Sequence, residues 1–175
     1  NKIYKLKKRP KINPLIVHYH NYEDADKDVI LNKNFFKLYN ELCPGPITFI
    51  LKKKFKSKIS NLVTANLNTV AVRFPKHKSI RSILKKINFP LAIPSANQSG
   101  GISPVESKDV SEEFGKKLKL IVDGGKCRIG IESTVVDLSD KLRILRPGII
   151  SSKKISKIIK AKILMKKKFN KIKSP

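Results

Sequence analysis

The sequence predicts an α+β fold, in which a twisted, mixed parallel and antiparallel sheet is flanked by helices. Short apolar runs rich in β-branched residues, such as 47–51 and 69–74, are bounded by proline or glycine, which is typical of strands. Residues 80–87 carry isoleucine and leucine at the i, i+3, i+4 and i+7 spacing of one helix face. Strands and helices follow one another without strict alternation, which favours a mixed sheet.

In the N-terminal half, the predicted order is strand, helices, strand and strand. Residues 14–19 form an apolar run after a proline and are predicted as a strand. Residues 23–40 are charged with spaced apolar side chains, which predicts one or two helices. The Pro-Gly-Pro segment at 44–46 ends them, because proline cannot continue a helix. The runs 47–51 and 69–74 follow as strands.

In the C-terminal half, the helix at 80–87 leads to a predicted buried strand at 90–94 and a polar turn. Ser103 with Glu106 three residues later fits a capping box with proline at the first helical position. A helix is therefore predicted to start at Ser103 and to stop near Gly115. Three further apolar runs are predicted as strands: 118–122, 133–138 and 142–146.

Residues 1–150 are predicted to form one domain, and residues 151–175 differ from them in composition. The isoleucines of this last segment fall on one helical face among lysines and serines, which predicts a basic amphipathic helix that begins a linker. A solvated helix that closes the domain is the simpler interpretation. A helix for nucleic acid or for a membrane surface is the alternative.

Charge and length restrict the class of protein. A chain of 175 residues with 40% hydrophobic residues suits one domain with its own core. The formal net charge of +26 favours polyanionic partners such as nucleic acid, nucleotides or acidic lipid. Codon bias towards lysine explains the same excess, so charge alone is weak evidence for RNA contact. No apolar run approaches the roughly 18 residues of a membrane span, and no membrane partner is predicted.

The cysteine pattern bears on metal binding and on compartment. Cys43 and Cys127 lie far apart, with neither C-x-x-C spacing nor a clustered histidine, which argues against a zinc site. Two isolated thiols in a chain without a visible secretory signal favour a reducing, cytoplasmic setting. The spacing leaves a disulfide between them open.

Glycine turns, hydroxyls and arginines are concentrated in segments predicted to lie at strand ends. Residues 123–137 contain two glycine turns around a β-branched run with hydroxyls, and Arg146 opens a third turn. Such turns let hydroxyl and guanidinium donors hold phosphate or carboxylate oxygens closely. Residues 95–97 and Ser103 offer similar donors beside a predicted helix start, although capping alone explains Ser103.

Basic residues and one histidine extend this predicted anion site. On an extended segment Lys7 and Arg9 would share one side and face a phosphate chain, although a solvated basic stretch explains them equally. Arg73 ends a strand and is placed to reach into a cleft, whereas His18 lies inside an apolar strand, where burial with one hydrogen bond is the simpler interpretation. Catalytic-triad order and nucleotide-loop fingerprints are absent, so the predicted site orients anions.

In order and in spacing, these motifs resemble the YrdC-like family of threonylcarbamoyl-AMP synthases. The resemblance covers about residues 3–150 and implies a YrdC/RibB-like fold that lacks its N-terminal strand. The matching segments are Lys7-x-Arg9-Pro10, Asn13-Pro14-Leu15-x-x-His18, Pro44-Gly45-Pro46-x-Thr48, Thr69-x-x-x-Arg73-x-Pro75-x-His77, Pro94-Ser95-Ala96-Asn97-x-Ser99-Gly100-x-x-Ser103-Pro104, Asp123-Gly124-Gly125, Gly130-x-Glu132-Ser133-Thr134 and Arg146-Pro147-Gly148.

The resemblance implies that ATP, L-threonine and bicarbonate condense to threonylcarbamoyl-AMP and pyrophosphate. It also implies Mg²⁺ as a helper ion without protein ligands of its own, a downstream threonylcarbamoyl transferase, and tRNA as the final acceptor. Lys7 and Arg9 are the implied catalytic residues at the triphosphate. The implied ATP-binding residues are Arg9, Asn13, Thr69, Ser95, Asn97, Ser103 and Arg146. The implied threonine-binding residues are His18, Arg73 and Ser133.

The chain departs from the family pattern at both ends. Family members have a Thr-x-Tyr-Gly-Leu type of segment before the Lys-x-Arg motif, and longer members continue beyond the position of Pro175 into a second domain. We therefore expect an interior fragment that is weak or inactive alone. The alternative function is a non-catalytic module of the same fold that binds tRNA or double-stranded RNA. A carbamoyl-transfer domain of hydrogenase maturation is a weaker third reading.

Overall fold

The computed structural model describes residues 2–127, 130–161 and 163–165. The strands within these residues are β1 (Ile16–His18), β2 (Ile47–Lys52), β3 (Thr69–Arg73), β4 (Leu91–Ala92), β5 (Thr134–Asp137), β6 (Arg143–Arg146) and β7 (Leu164–Met165). The helices are α1 (Lys2–Leu6), α2 (Tyr22–Asp26), α3 (Lys33–Leu42), α4 (Asn61–Thr64), α5 (Lys78–Lys86), α6 (Ser107–Phe114) and α7 (Ser152–Ile159), and a 3₁₀ turn follows α6 at Gly115–Lys117.

In the described part of the chain, the strands form one mixed sheet in the order β4-β1-β3-β2-β5-β6-β7. The pairs β1–β3, β2–β5 and β6–β7 are parallel, and the other neighbouring pairs are antiparallel. The predicted mixed sheet flanked by helices is confirmed. This topology brings the ends of β1, β3 and β6 to the same edge as the starts of β2 and β5. The register sets Arg73 opposite both His18 and Thr48 at that edge.

An aromatic cluster beneath the sheet anchors α3 to β2 and β3. The Phe35 ring lies 5.1 Å from that of Phe49, and the Tyr39 ring lies 4.9 Å from that of Phe74. The Asn32 side chain caps α3 by accepting from the Phe35 amide at 2.9 Å. Fully burying each phenylalanine contributes roughly 1.5–3 kcal/mol. The cluster therefore fixes the strands that end at the edge described above.

Helix α7 begins at the Ser151 cap and packs against α3 with Ile155 and Ile159 buried. The amphipathic helix predicted within residues 151–175 ends at Ile159, because Lys160 adopts the left-handed conformation that ends the helix. Strand β7 then pairs with β6, so the sheet extends past residue 150. The prediction for residues 166–175 lies outside the described residues.

Two other predicted elements are wrong in the structure. Residues 118–122 form no strand, and Leu120 and Val122 are exposed, because an apolar run without a neighbouring strand to pair with gains neither hydrogen bonds nor burial. Helix α6 begins at Ser107 rather than near Ser103. The Asp109 carboxylate accepts from the Val105 and Glu106 amides at 2.7 and 3.1 Å, which moves the capping box three residues along the chain.

Two further predictions are wrong in part. The predicted buried strand at 90–94 is a two-residue, half-buried edge strand, β4, because it has a partner on one side only. The N-terminal basic residues do not lie on an extended segment, since α1 is a helix and Lys8 has a φ of 50°.

Cys43 and Cys127 are not joined by a disulfide. Within the described residues, no helix has both the length and the apolar character needed to cross a bilayer.

Candidate functional site

A cleft of about 480 Å³ lies at the sheet edge where β1 and β3 end and β5 begins. Its polar wall consists of three arginines, three serines, one histidine and one glutamate. They are Arg9, Arg73, Arg146, Ser95, Ser103, Ser133, His18 and Glu132. Leu15, Ile16, Ile93 and Pro94 supply apolar wall. The structure thus brings seven of the predicted site residues, all of these polar ones except Glu132, into one cavity.

Burial makes the three arginines an electrostatically costly group. Desolvation lowers the pKa of each guanidinium below its usual value, and the charges of Arg73 and Arg146 also oppose each other. The Arg73 Nε atom is buried without a hydrogen-bond partner. An anion among the three side chains would compensate their charge and supply the acceptors that water supplied before folding. The cleft is therefore suited to phosphate or carboxylate groups.

Arg146 is held in place by the residue that leads into β5. Its Nε and Nη2 atoms donate to the Ser133 carbonyl oxygen at 3.2 and 3.0 Å, and Nη2 also donates to Ser133 Oγ at 3.0 Å. Ser133 Oγ lies 2.8 Å from Thr48 Oγ1, which fixes the serine on the start of β2. The remaining Nη1 atom lies 2.8 Å from Glu132 Oε2. These contacts set the direction of the guanidinium before any ligand arrives.

His18 is buried at the end of β1, beside Arg73. Its Nδ1 atom lies 3.1 Å from the Ile16 carbonyl oxygen, and because a carbonyl only accepts, we assign the ring proton to Nδ1. Burial, with a smaller contribution from the Arg73 charge, lowers the pKa of His18 to about 4. The imidazole is therefore neutral near pH 7, and the residue lines the cleft.

Lys7 lies behind the cleft wall. Its ammonium group, in a side chain only 4% exposed, donates to the Ser95 carbonyl oxygen at 2.5 Å and to the Asn97 carbonyl oxygen. The Ser99 amide donates to the Lys7 carbonyl oxygen at 2.8 Å. The positive φ of Lys8 turns the chain between Lys7 and Arg9. In the described geometry the Lys7 ammonium group is directed at these carbonyl oxygens, whereas Arg9 lines the cleft, and a shared role of the two side chains at one phosphate chain stays a prediction.

Three other predicted ATP-binding residues do not belong to the cleft wall. Asn97 is buried with its Nδ2 atom on the Gly101 carbonyl oxygen at 2.7 Å. Thr69 begins β3, at the end opposite to Arg73. Asn13 offers its backbone carbonyl oxygen to Arg9 Nε at 3.3 Å. The side-chain Oδ1 atoms of both asparagines are buried without partners, so ligand contacts for them stay a prediction.

Sequence reasoning missed the acidic residue of the cleft wall and a threonine that supports Ser133. Glu132 stood inside a matching motif without a role, and its signal was a single acid between Gly130 and a run of hydroxyls. Thr48 was signalled by a hydroxyl inside an apolar strand.

Among the described residues, no group of three or more His, Cys, Asp or Glu could hold a metal ion. A magnesium ion here fits only as a partner of bound phosphates, which is how Mg²⁺ is commonly held.

The fold and the cleft define an α+β domain with a preformed cationic site for ligands that carry phosphate or carboxylate groups. The Sua5/YciO/YrdC family model, described as "Telomere recombination", matches residues 1–148. The chain is 38% identical to the threonylcarbamoyl-AMP synthase of Pyrococcus abyssi over 163 residues, which are 90% of this chain and 46% of that protein. It is 38% identical to that of Bacillus subtilis, with 90% and 46% covered.

Solved structures agree with this match. P. abyssi Sua5 complexed with L-threonine has a TM-score of 0.88 and 36% identity, covering 99% of this chain and 52% of that one. Escherichia coli YciO, with 20% identity and a TM-score of 0.76 over 88% of this chain and 75% of that one, shows the same fold. The chain therefore belongs to the Sua5/YciO/YrdC family. It spans about half the length of the curated relatives named above.

Proposed function

We propose that the protein condenses ATP, L-threonine and bicarbonate to threonylcarbamoyl-AMP, with release of pyrophosphate. The observation that carries the proposal is the convergence of Arg9, Arg73 and Arg146 on one cleft with preoriented hydroxyls. Support comes from the printed names of the relatives and from the threonine complex of P. abyssi Sua5. In this proposal the product serves the modification of tRNA in the cytoplasm.

The polyphosphate of ATP is assigned to one side of the cleft. Arg9 and Arg146 would contact phosphate oxygens, and the hydroxyls of Ser95 and Ser103 would donate to them. Neutralising the charge of the departing pyrophosphate lowers the barrier to its release. When bound with the phosphates, Mg²⁺ would supply further neutralisation of that charge.

Threonine is assigned to the side where β1 and β3 end. The Arg73 guanidinium would bind the amino-acid carboxylate, with Ser133 Oγ and the neutral His18 ring beside it. In the reaction, the threonine amine and bicarbonate form N-carboxythreonine with loss of water. Its carboxylate oxygen then attacks the α-phosphorus while the bond to pyrophosphate breaks. The nucleophile is already anionic, so the step needs orientation more than a general base.

The test measures ATP binding and pyrophosphate release. We expect pyrophosphate release from ATP that requires both threonine and bicarbonate. Arg146→Ala should weaken ATP binding about 10- to 100-fold, because it removes charge-assisted hydrogen bonds. Lys116→Ala, in the exposed 3₁₀ turn, is the control and should bind ATP as the parent does. Pyrophosphate release that ignores threonine, or ATP binding unaffected by Arg146→Ala, would contradict the proposal.

A further inference from the structure

Glu132 stands apart from the other polar groups of the cleft. Among the described residues, it is the one acidic side chain in the cleft wall. Its Oε2 atom lies 2.8 Å from Arg146 Nη1. Its charge also acts favourably on Arg9 and Arg73. One carboxylate thus partly neutralises all three cleft arginines.

The two members of this ion pair are held very differently. The Arg146 side chain is 19% exposed, whereas the Glu132 side chain is 57% exposed. Arg146 is fixed from its other nitrogens by the Ser133 carbonyl and hydroxyl oxygens. If the pair separates, the glutamate can therefore swing into solvent while the guanidinium keeps its position. An exposed carboxylate regains its hydration at little cost.

The ion pair by itself is expected to add little to folding stability. Exposed ion pairs contribute little to the free energy of unfolding, and Glu132 is the more exposed partner. The carboxylate lies instead against the guanidinium nitrogen that remains after Ser133 has engaged the other two. Arg146 and Glu132 both line the cleft, so a ligand oxygen that binds this guanidinium there competes with the Glu132 carboxylate. Glu132 therefore occupies an anion position in the cleft.

We propose that Glu132 is an internal counter-ion that an anionic ligand must displace from Arg146. It is a specificity-determining residue, because ligands gain the Arg146 contact only if they compete with a tethered carboxylate. Polyphosphates carry enough charge to do so, and neutral nucleosides do not. This inference rests on the proposed function, since it concerns the phosphate side of the same cleft.

Isothermal calorimetry with inorganic pyrophosphate and with adenosine, without Mg²⁺ and at constant ionic strength, tests the inference. Glu132→Gln keeps the size of the side chain and removes its charge. We expect it to bind pyrophosphate about 3- to 10-fold more tightly than the parent chain, because the competing state is lost. Adenosine affinity should stay unchanged. Circular dichroism and thermal unfolding of each variant show whether the fold is intact.

Two controls separate displacement from a general change in charge. Glu112→Gln removes the same charge from an exposed pair with Lys108 on α6, and should leave pyrophosphate affinity unchanged. In an Arg146→Gln background, Glu132→Gln should give a clearly smaller gain, because the displaced contact is already absent. Equal gains in both backgrounds would mean that only long-range charge matters and would overturn the inference.

The outcome also distinguishes this inference from the proposed function. Pyrophosphate binding that Glu132→Gln leaves unchanged or weakens overturns the counter-ion role, while the phosphate site stands. A weakening seen only when Mg²⁺ is added would make Glu132 a metal ligand and would equally overturn it. Absence of pyrophosphate binding in every variant would remove the phosphate site itself, and the inference with it.

Discussion

His18 shows how a single buried ring links the cleft to folding stability. The side chain closes the end of β1, with Nδ1 on the Ile16 carbonyl oxygen at 3.1 Å and the Arg73 guanidinium nearby. Burial and the neighbouring cation both disfavour the imidazolium form. The ring is therefore kept neutral, so it adds no further positive charge to a cleft that already contains three arginines.

This neutral state predicts a loss of stability in acid. The unfolded chain takes up a proton near pH 6.5, whereas folded His18 does so only near pH 4. Stability is therefore fully present above pH 6.5 and falls as the pH drops towards 4, by about 3 kcal/mol from this group. Urea unfolding at several pH values should show a shallower acid loss for His18→Gln than for the parent. Parallel pH profiles would contradict the assignment.

Lys7 predicts a different kind of effect from that of a phosphate-binding lysine. Its ammonium group binds the carbonyl oxygens of Ser95 and Asn97 and so shapes the loop that carries the Ser95 hydroxyl. Lys7→Met should lower the free energy of unfolding by about 1–3 kcal/mol, because two buried acceptors lose their donor. It should also weaken ATP binding through the displaced loop.

Lys5→Met is the matched control for this prediction. Lys5 lies on α1 with its side chain exposed, so its loss should change stability by less than about 0.5 kcal/mol. Chemical unfolding and ATP titration are measured on both variants. Weaker ATP binding by Lys7→Met with an unchanged free energy of unfolding would place its ammonium group on the phosphates instead.

Among the structural elements, the turn after β6 depends most clearly on one glycine. A Cβ atom on Gly148 would lie 2.5 Å from both the Glu132 carbonyl oxygen and the Thr134 nitrogen. These are backbone atoms at the start of β5 that cannot rotate away. Gly148→Ala should therefore cost about 2–4 kcal/mol and should weaken ATP binding, because the approach of the turn to β5 positions Arg146.

Gly130→Ala, at a glycine outside that turn, is the control for Gly148→Ala. A Cβ atom there would meet nothing within 4 Å, and only the φ of 57° opposes it, at a cost of roughly 1–2 kcal/mol. Urea midpoints of the two variants should therefore differ, with Gly148→Ala the less stable. Equal midpoints would mean that the turn relaxes away from β5 without penalty.

Elements with strong local patterns were the predictable ones. The apolar runs at 47–51 and 69–74 match β2 and β3. Each of these strands has a neighbouring strand on both sides, so its strand composition agrees with its position inside the sheet. The failures depend on partners distant in sequence. Residues 118–122 have strand composition but no strand beside them. Ser103 does not cap the helix, because the Asp109 carboxylate accepts hydrogen bonds from two amides and fixes a later start. Neither the missing partner strand nor the hydrogen bonds of Asp109 can be inferred from local composition.

At the scale of the whole molecule, the family resemblance identified most of the cleft, and folding decided the rest. Arg9, Ser95 and Ser133 line the cavity as the motif order suggested. The direction of Lys7 was not predictable, since it depends on α1 and on the left-handed turn at Lys8. The pairing of Glu132 with Arg146 needs the approach of β5 and β6, which no local pattern encodes.

The net charge of +26 predicts that any affinity of the molecule for RNA depends strongly on salt concentration. Binding led by phosphate contacts releases counter-ions, so affinity for tRNA should fall about 10³-fold or more between 50 and 200 mM salt if six or more phosphates are contacted. Because this attraction comes from lysines spread over the chain, Arg146→Gln should leave tRNA affinity unchanged, and pyrophosphate should not compete. Fluorescence anisotropy with labelled tRNA and with double-stranded RNA measures both. RNA binding that resists salt, or that pyrophosphate abolishes, would mean that RNA occupies the arginine cleft itself. A non-catalytic RNA-binding module would then explain the site better than an enzyme that acts on ATP.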